Sequence, residues 1–219
     1  MGVLLNTSGG ITGGDRLEIV AEAATGSALS LTTQAAERIY RAAEGSARIE
    51  TRLTVAPGAR LDWVPQETIL FDGCAMDRRL EVEVARGGRA LLSEAVVFGR
   101  RLSGERLTRV AVRDRIAVTQ DGAPLLTDVT RWDGCGALAR AGVVNGAGAM
   151  ATLVLVAEEA EALLAPLRAA LGPEGGASLP RPGLLVARLL ADDGWAVRRR
   201  LARALPMLAG SELPANWRM

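Results

Sequence analysis

The feature that most constrains this chain is an apolar alternation of period two sustained over more than half its length. It runs through Leu17/Ile19, Leu29/Leu31, Ile49/Leu53/Val55, Leu61/Trp63, Leu80/Val82/Val84, Val96/Phe98, Val110/Val112 and Ile116/Val118. Side chains on a strand point alternately to opposite faces, so such rows are half-buried strands. Glycine-containing turn pairs separate them: Thr25-Gly26, Glu44-Gly45, Pro57-Gly58, Asp72-Gly73, Gly87-Gly88, Ser103-Gly104, Asp121-Gly122 and Asp133-Gly134. The pattern predicts a mainly β protein of two stacked, mostly antiparallel sheets, built as a succession of hairpins. The turns are too unevenly spaced for a short-period repeat.

The period changes near residue 150. Residues 151–156 form an apolar strand, and 158–171 read as a helix with acids in its first turn and Gly172-Pro173 as stop signals. Residues 184–190 suit another strand. Asp192 or Asp193 then caps a helix on which Trp195, Leu201, Leu205 and Leu208 share a face, while Arg198, Arg199 and Arg203 lie elsewhere as a solvated cluster. Pro206 is expected to kink or end that helix. One domain over 1–219 follows, with a β-rich body at 1–156 and an α/β part at 157–219, so the two helices fall in the C-terminal third.

Composition removes several function classes. The 219 residues carry 26 basic side chains, 25 acidic ones and a net charge of +1, which gives no basic footprint for nucleic acid or an anionic membrane. There is no histidine, so serine–histidine catalysis and histidine-built metal cages are excluded within the chain. Cys74 and Cys135 fit neither a metal knuckle nor a disulfide framework, which points to a reducing, cytoplasmic setting. They share an Asp-Gly-Cys context, either coincident turn chemistry or a transient metal ligand. No segment reads as an export signal or a membrane span.

A polar site must therefore be made of carboxylates, thiols, carbonyls and arginine. The acids that stand out are Asp15, closing a loop with the glycine pairs Gly9-Gly10 and Gly13-Gly14, then Glu67 and Asp72 around an apolar trio, Glu94 within an apolar strand, and Asp128. A strand rather than a helix follows the glycine loop, so it is not a phosphate cradle. Glu94 among Leu91, Leu92, Val96 and Val97 is expected to be buried, and a buried carboxylate needs a partner such as Arg100. Carboxylates arranged for sugar cleavage are disfavoured by the scarcity of aromatic residues to line a cleft. Near the end of the chain, Trp217 is either tucked onto the body or offered to a partner.

Four ordered runs carry a resemblance: NTSGGITGGDRL at 6–17, LTTQAAERIYR at 31–41, PQETILFDG at 65–73, and FGR at 98–100 with Gly104 and Glu105. Together they closely resemble urease accessory proteins of the UreD type, called UreH in some bacteria. The resemblance implies a β-rich, β-helicoid-like scaffold without enzyme activity that holds apo-urease with a UreF-type partner and a UreG-type GTPase. It also implies that nickel passes in transit with no permanently bound cofactor. Asp15 and Asp128 match acids of the family best, Glu67, Asp72 and Glu94 join them as candidates for a nickel path, and Tyr40, Arg41 and Trp217 are candidate partner contacts. Family chains usually carry several tens of residues before the glycine loop, so an opened sheet edge is expected here. Isolated carboxylates and water bind nickel weakly at each step, which suits passage better than storage. The competing reading is a structural adaptor that clamps urease and never contacts metal.

Overall fold

The computed structural model describes residues 1–100, 103–209 and 212–217. The larger sheet contains β1 (Gly2–Leu4), β3 (Ala28–Thr33), β4 (Glu37–Ile39), β6 (Arg60–Trp63), β7 (Thr68–Leu70), β9 (Arg89–Phe98), β12 (Ala149–Val156), β13 (Gly175–Arg181) and β14 (Leu184–Ala191). Its main path runs β1-β3-β6-β9-β12-β14-β13, with β7 joining β4 to the far half of β9. The smaller sheet runs β11-β10-β8-β5-β2, formed by β2 (Arg16–Ala23), β5 (Ala47–Val55), β8 (Cys74–Val84), β10 (Val110–Gln120) and β11 (Ala123–Asp133). The helices α1 (Ala160–Leu171) and α2 (Gly194–Ala209) fall in the last third, as expected. Among the described residues no helix is long and apolar enough to cross a membrane.

The direction of pairing differs from the expected hairpins. Through β10 the chain passes back and forth between the sheets, and strands pair in parallel with the strand one coil later: Arg16 with Arg48, Ala47 with Met76, Cys74 with Val110, and on the other sheet Ala28 with Arg60 and Arg60 with Arg89. The chain thus winds as a flattened coil of roughly thirty residues per turn, a structural repeat with no short sequence repeat behind it. Most pairs of named strands are parallel, and the antiparallel ones are β10/β11, β9/β12, β12/β14 and β13/β14. Turn chemistry does not distinguish the two topologies, because a glycine at positive φ serves a corner between sheets as well as a hairpin. Gly58 and Gly87 lie at such corners, and the Gly58 N–H donates to the Gly87 carbonyl at 3.1 Å, stacking one corner on the next. Asp121-Gly122 does close a hairpin, with positive φ at both residues as the tight two-residue turn requires.

Three apolar clusters hold the fold. Two lie between the sheets, one around Leu53, Leu61, Val82, Leu92 and Ile116, the other around Ile39, Met76, Phe98, Val110 and Trp132. The third packs α1 and α2 on the outer face of the larger sheet through Leu153, Leu155, Leu167, Leu185, Leu201 and Leu205. α2 starts where the Asp193 carboxylate accepts the Ala196 N–H at 2.7 Å, confirming the cap. Two readings of this helix are corrected. Pro206 does not end it: the proline lies inside the helix on the exposed side, and the helix continues to Ala209. Trp195 faces outward with Arg199 and Arg203, whereas Arg198 and Arg200 are drawn inward by partners.

Candidate functional site: a polar belt between the sheets

β8, β9 and β10 each carry one charged residue within an inward apolar row. On β8 the buried row is Cys74, Met76, Arg78, Leu80, Val82 and Val84; on β9 it is Ala90, Leu92, Glu94, Val96 and Phe98. On β10, Asp114 takes the slot between Val112 and Ile116. Register brings these slots together. Asp114 pairs with Arg78 across β10/β8 and with Thr130 across β10/β11, and Thr152 of β12 lies opposite Glu94. The result is a polar belt crossing the sandwich between its two inner apolar clusters.

Arg78 is the hub. Its fork donates to Asp114 through Nε (3.0 Å to Oδ1) and Nη2 (2.5 Å to Oδ2), while Nη1 lies 2.5 Å from Glu94 Oε2 and donates to Thr68 Oγ1 at 3.1 Å. The other Glu94 oxygen accepts the Trp63 indole N–H at 2.8 Å. Burial pushes the Glu94 carboxyl above its ordinary value; the Arg78 charge opposes this and the Asp114 charge adds to it. Burial also works against a charged Arg78, but Asp114 and Glu94 outweigh it and hold its proton more firmly than usual. At the open side, Arg188 of β14 reaches across to the smaller sheet and meets both Asp128 oxygens at 2.5 Å. Glu94, Asp114, Asp128, Thr130 and Thr152 line a cavity with about 10 Å³ of room for a water-sized sphere, the lower limit for one water. Arg78 and Arg188 face the three carboxylates of Glu94, Asp114 and Asp128, so the ionised belt carries an excess of negative charge.

The structure brings together only Glu94 and Asp128 of the acids singled out in the sequence. The expected partner of Glu94, Arg100, is corrected to Arg78: Arg100 lies beyond the end of β9, pairs with Glu105 at 3.1 Å and stacks over Phe71. Asp15 is exposed and folds back so that Oδ2 accepts the Thr12 N–H at 2.8 Å, closing the glycine loop away from the belt. Asp72 organises the loop before β10, its Oδ1 accepting the N–H groups of Thr108 (2.6 Å) and Arg109 (2.9 Å), and these bonds hold its carboxyl below the usual range. Glu67 is buried against Arg198 at 3.3 Å on the helix side of the larger sheet.

The glycine loop is a packing device. A Cβ on Gly10 would collide with the Tyr40 ring, and one on Gly13 with the Glu44 carbonyl oxygen. Gly9 and Gly14 turn the chain at positive φ, and the Gly9 carbonyl accepts the Tyr40 hydroxyl at 3.2 Å. Gly13→Ala is therefore expected to cost about 1–3 kcal/mol, since the obstacle is backbone, and thermal melting would measure it. An unchanged midpoint would mean that the loop moves aside freely. Tyr40 is partly exposed and packs edge-on against Phe71, and Arg41, exposed, pairs with Asp72 at 3.0 Å. Trp217 offers no contact surface: it is 1% exposed, donates its indole N–H to the Val64 carbonyl at 2.8 Å and lies under Arg198. Cys74 opens β8 inside the core, where burial pushes its thiol up to about 12, so at neutral pH it keeps its proton. Among the described residues no three acids or thiols lie close enough to hold a metal ion together.

Arg78, Asp114 and Arg188 are the charged belt residues that sequence reasoning missed. Extending the row Leu80/Val82/Val84 back by two places Arg78 inward, and the gap between Val112 and Ile116 places Asp114 inward, so the signal was present. Arg188 had none, because its partner lies in the other sheet.

Fold and belt together define a coiled β-sandwich protein with arginines and carboxylates paired across its two sheets. Residues 1–218 match the family described as UreD urease accessory protein. The urease accessory protein UreD of Ruegeria pomeroyi is 49% identical over 218 residues, covering 98% of this chain and 85% of that protein. The corresponding proteins of Roseobacter denitrificans and Mesorhizobium japonicum are each 46% identical, over 99% and 98% of this chain and 80% and 79% of theirs. The chain belongs to the UreD family.

Proposed function

We propose that this chain is a urease maturation factor: a cytoplasmic scaffold, with no reaction of its own, that holds apo-urease with a UreF-type accessory protein and, through that complex, a UreG-type GTPase. Nickel is its cargo, and the polar belt is the route we assign to it. The observation that carries this reading is the small cavity where Glu94, Asp114 and Asp128 converge between two apolar clusters. Carboxylates attract a divalent ion without the tight grip of imidazole or thiolate, so each step is weak and the ion can leave. Asp128 at the Arg188 end is the entry or exit acid.

Asp128→Ala is expected to lower urease activation severalfold at limiting nickel, to recover in part with excess nickel, and to leave pull-down of the UreF-type partner intact. The measurement is urease activity against nickel concentration alongside that pull-down. Two observations favour a second reading, a purely structural adaptor: Arg78 and Arg188 already pair the belt carboxylates, and no metal-holding group of three exists among the described residues. Full activation of Asp128→Ala at every nickel concentration would select the adaptor.

A further inference from the structure

Trp63, Trp132 and Trp217 are buried, whereas Trp195 is 60% exposed. It stands in the first turn of α2, which packs closely on the sheet: a Cβ on Gly194 would meet Val97 Cγ2 at 3.0 Å. The helix start thus packs directly on β9 and presents the indole beside Val97. Beside it opens a groove of about 380 Å³, walled by Ile69, Val97, Gly99 and Trp195, with Glu67 and Arg198 among its lining.

The charges around the groove divide into two sets. Arg198 is engaged by Glu67 and the Trp217 ring, Arg100 by Glu105 and Phe71, and the Asp193 side chain by the helix cap. Arg199 and Arg203, four and eight residues beyond Trp195, extend the same outward ridge, both exposed, and the ion pairs among the described residues include neither. An exposed tryptophan on a closely packed helix start, an adjoining apolar recess and two outward guanidinium groups form the combination from which interface anchors are built. The positive ridge selects an acidic occupant.

We propose that the α2 ridge Trp195-Arg199-Arg203 and its groove dock an acidic segment of a protein partner. An apolar side chain of that segment enters between Ile69, Val97 and Trp195, and its carboxylates meet Arg199 and Arg203. This rests on the reading of the chain as an accessory scaffold, but it involves none of the belt residues.

The test measures binding of the full chain to purified apo-urease, to the UreF-type protein and to the UreG-type protein, each at low and high salt. The variants are Trp195→Ala, Arg199→Glu/Arg203→Glu, and Arg181→Glu as an exposed arginine elsewhere. All alter exposed side chains, and circular dichroism verifies folding. The expected result is that one of the three interactions weakens at least tenfold in the first two variants, is salt-sensitive in the wild type and is unchanged in Arg181→Glu. Wild-type affinity of both ridge variants for all three proteins overturns the docking site while leaving the accessory reading standing. Equal weakening by Arg181→Glu also overturns it, because general charge would then suffice. Wild-type self-association abolished by Trp195→Ala assigns the ridge to a second copy of this chain and overturns the acidic partner. No binding by the wild type removes the accessory reading and this inference with it.

Discussion

Arg78→Met is expected to destabilise the protein by about 3–5 kcal/mol, the largest effect of any single substitution in the belt. The guanidinium lies between Glu94 and Asp114, and its loss leaves two acids facing each other in a water-poor interior with Trp63 and Thr68 as the nearby donors. The cost is the uncompensated burial of charge rather than the worth of the ion pair, which distinguishes this variant from a loss of packing. Replacing the three side chains together, as Arg78→Met/Glu94→Leu/Asp114→Leu, is accordingly expected to recover most of the stability. Arg78→Lys should fall between, because an ammonium group keeps the charge but not the planar fork that binds Asp114 through two atoms. Urea unfolding of the three variants measures these differences. A single Arg78→Met protein as stable as the wild type would show that the belt is hydrated enough to carry its acids unpaired.

The second large effect depends on pH and arises at Asp62. This residue of β6 is 1% exposed on the helix side of the larger sheet, with Arg60 Nε at 3.5 Å and Arg89 Nη1 at 3.7 Å. Neither arginine donates a hydrogen bond to it. Arg89 is pulled away by Glu159 at 2.7 Å and by the Leu208 carbonyl. Burial pushes the carboxyl up to about 6, with Arg60 and Arg89 only partly opposing it. The folded state therefore holds this proton more tightly than the unfolded chain, in which an aspartate titrates near 4. The sign follows: ionisation of Asp62 costs stability in full above about pH 6, and the cost fades as pH falls from there towards 4. Two pH units correspond to about 3 kcal/mol as an upper figure. Asp62→Asn is expected to stabilise the protein by about 1–3 kcal/mol at pH 7.5 and to lose that advantage by pH 4, measured as urea midpoints across the range. A variant less stable than wild type at pH 7.5 would mean that Arg60 and Arg89 hold the carboxylate better than their distances indicate.

The sequence made the strands legible because alternation is a local property, and it made the helices legible because their caps and stop signals are local too. Strand direction was not legible. Pro57-Gly58 and Gly87-Gly88 would look the same in a hairpin, and only the pairing of Arg60 with both Ala28 and Arg89 reveals a coil. The burial of Glu94 followed from its neighbours, but the identity of its partner is set by how two sheets face each other, and sequence spacing carries no such information. Asp15 shows the reverse case. Its loop is distinctive in sequence, yet the carboxylate serves the Thr12 N–H and the glycines serve close packing against Tyr40 and Glu44. α2 misled for a physical reason: an aromatic side chain was grouped with the leucines, while the helix turns it outward beside two arginines.

The flattened coil also sets an order of completion. Arg78, Glu94 and Asp114 come from consecutive strands and can meet as soon as β10 lies beside β8, early in synthesis from the N-terminus. Thr152 and Arg188 arrive only with β12 and β14. Until those strands are in place the flank bearing Asp128 and Thr130 lacks Met150 and Thr152, which complete the lining of the cavity. Arg188 with Asp128 is thus the last ion pair of the belt that chain order can supply, and it ties β14 of the larger sheet to β11 of the smaller one.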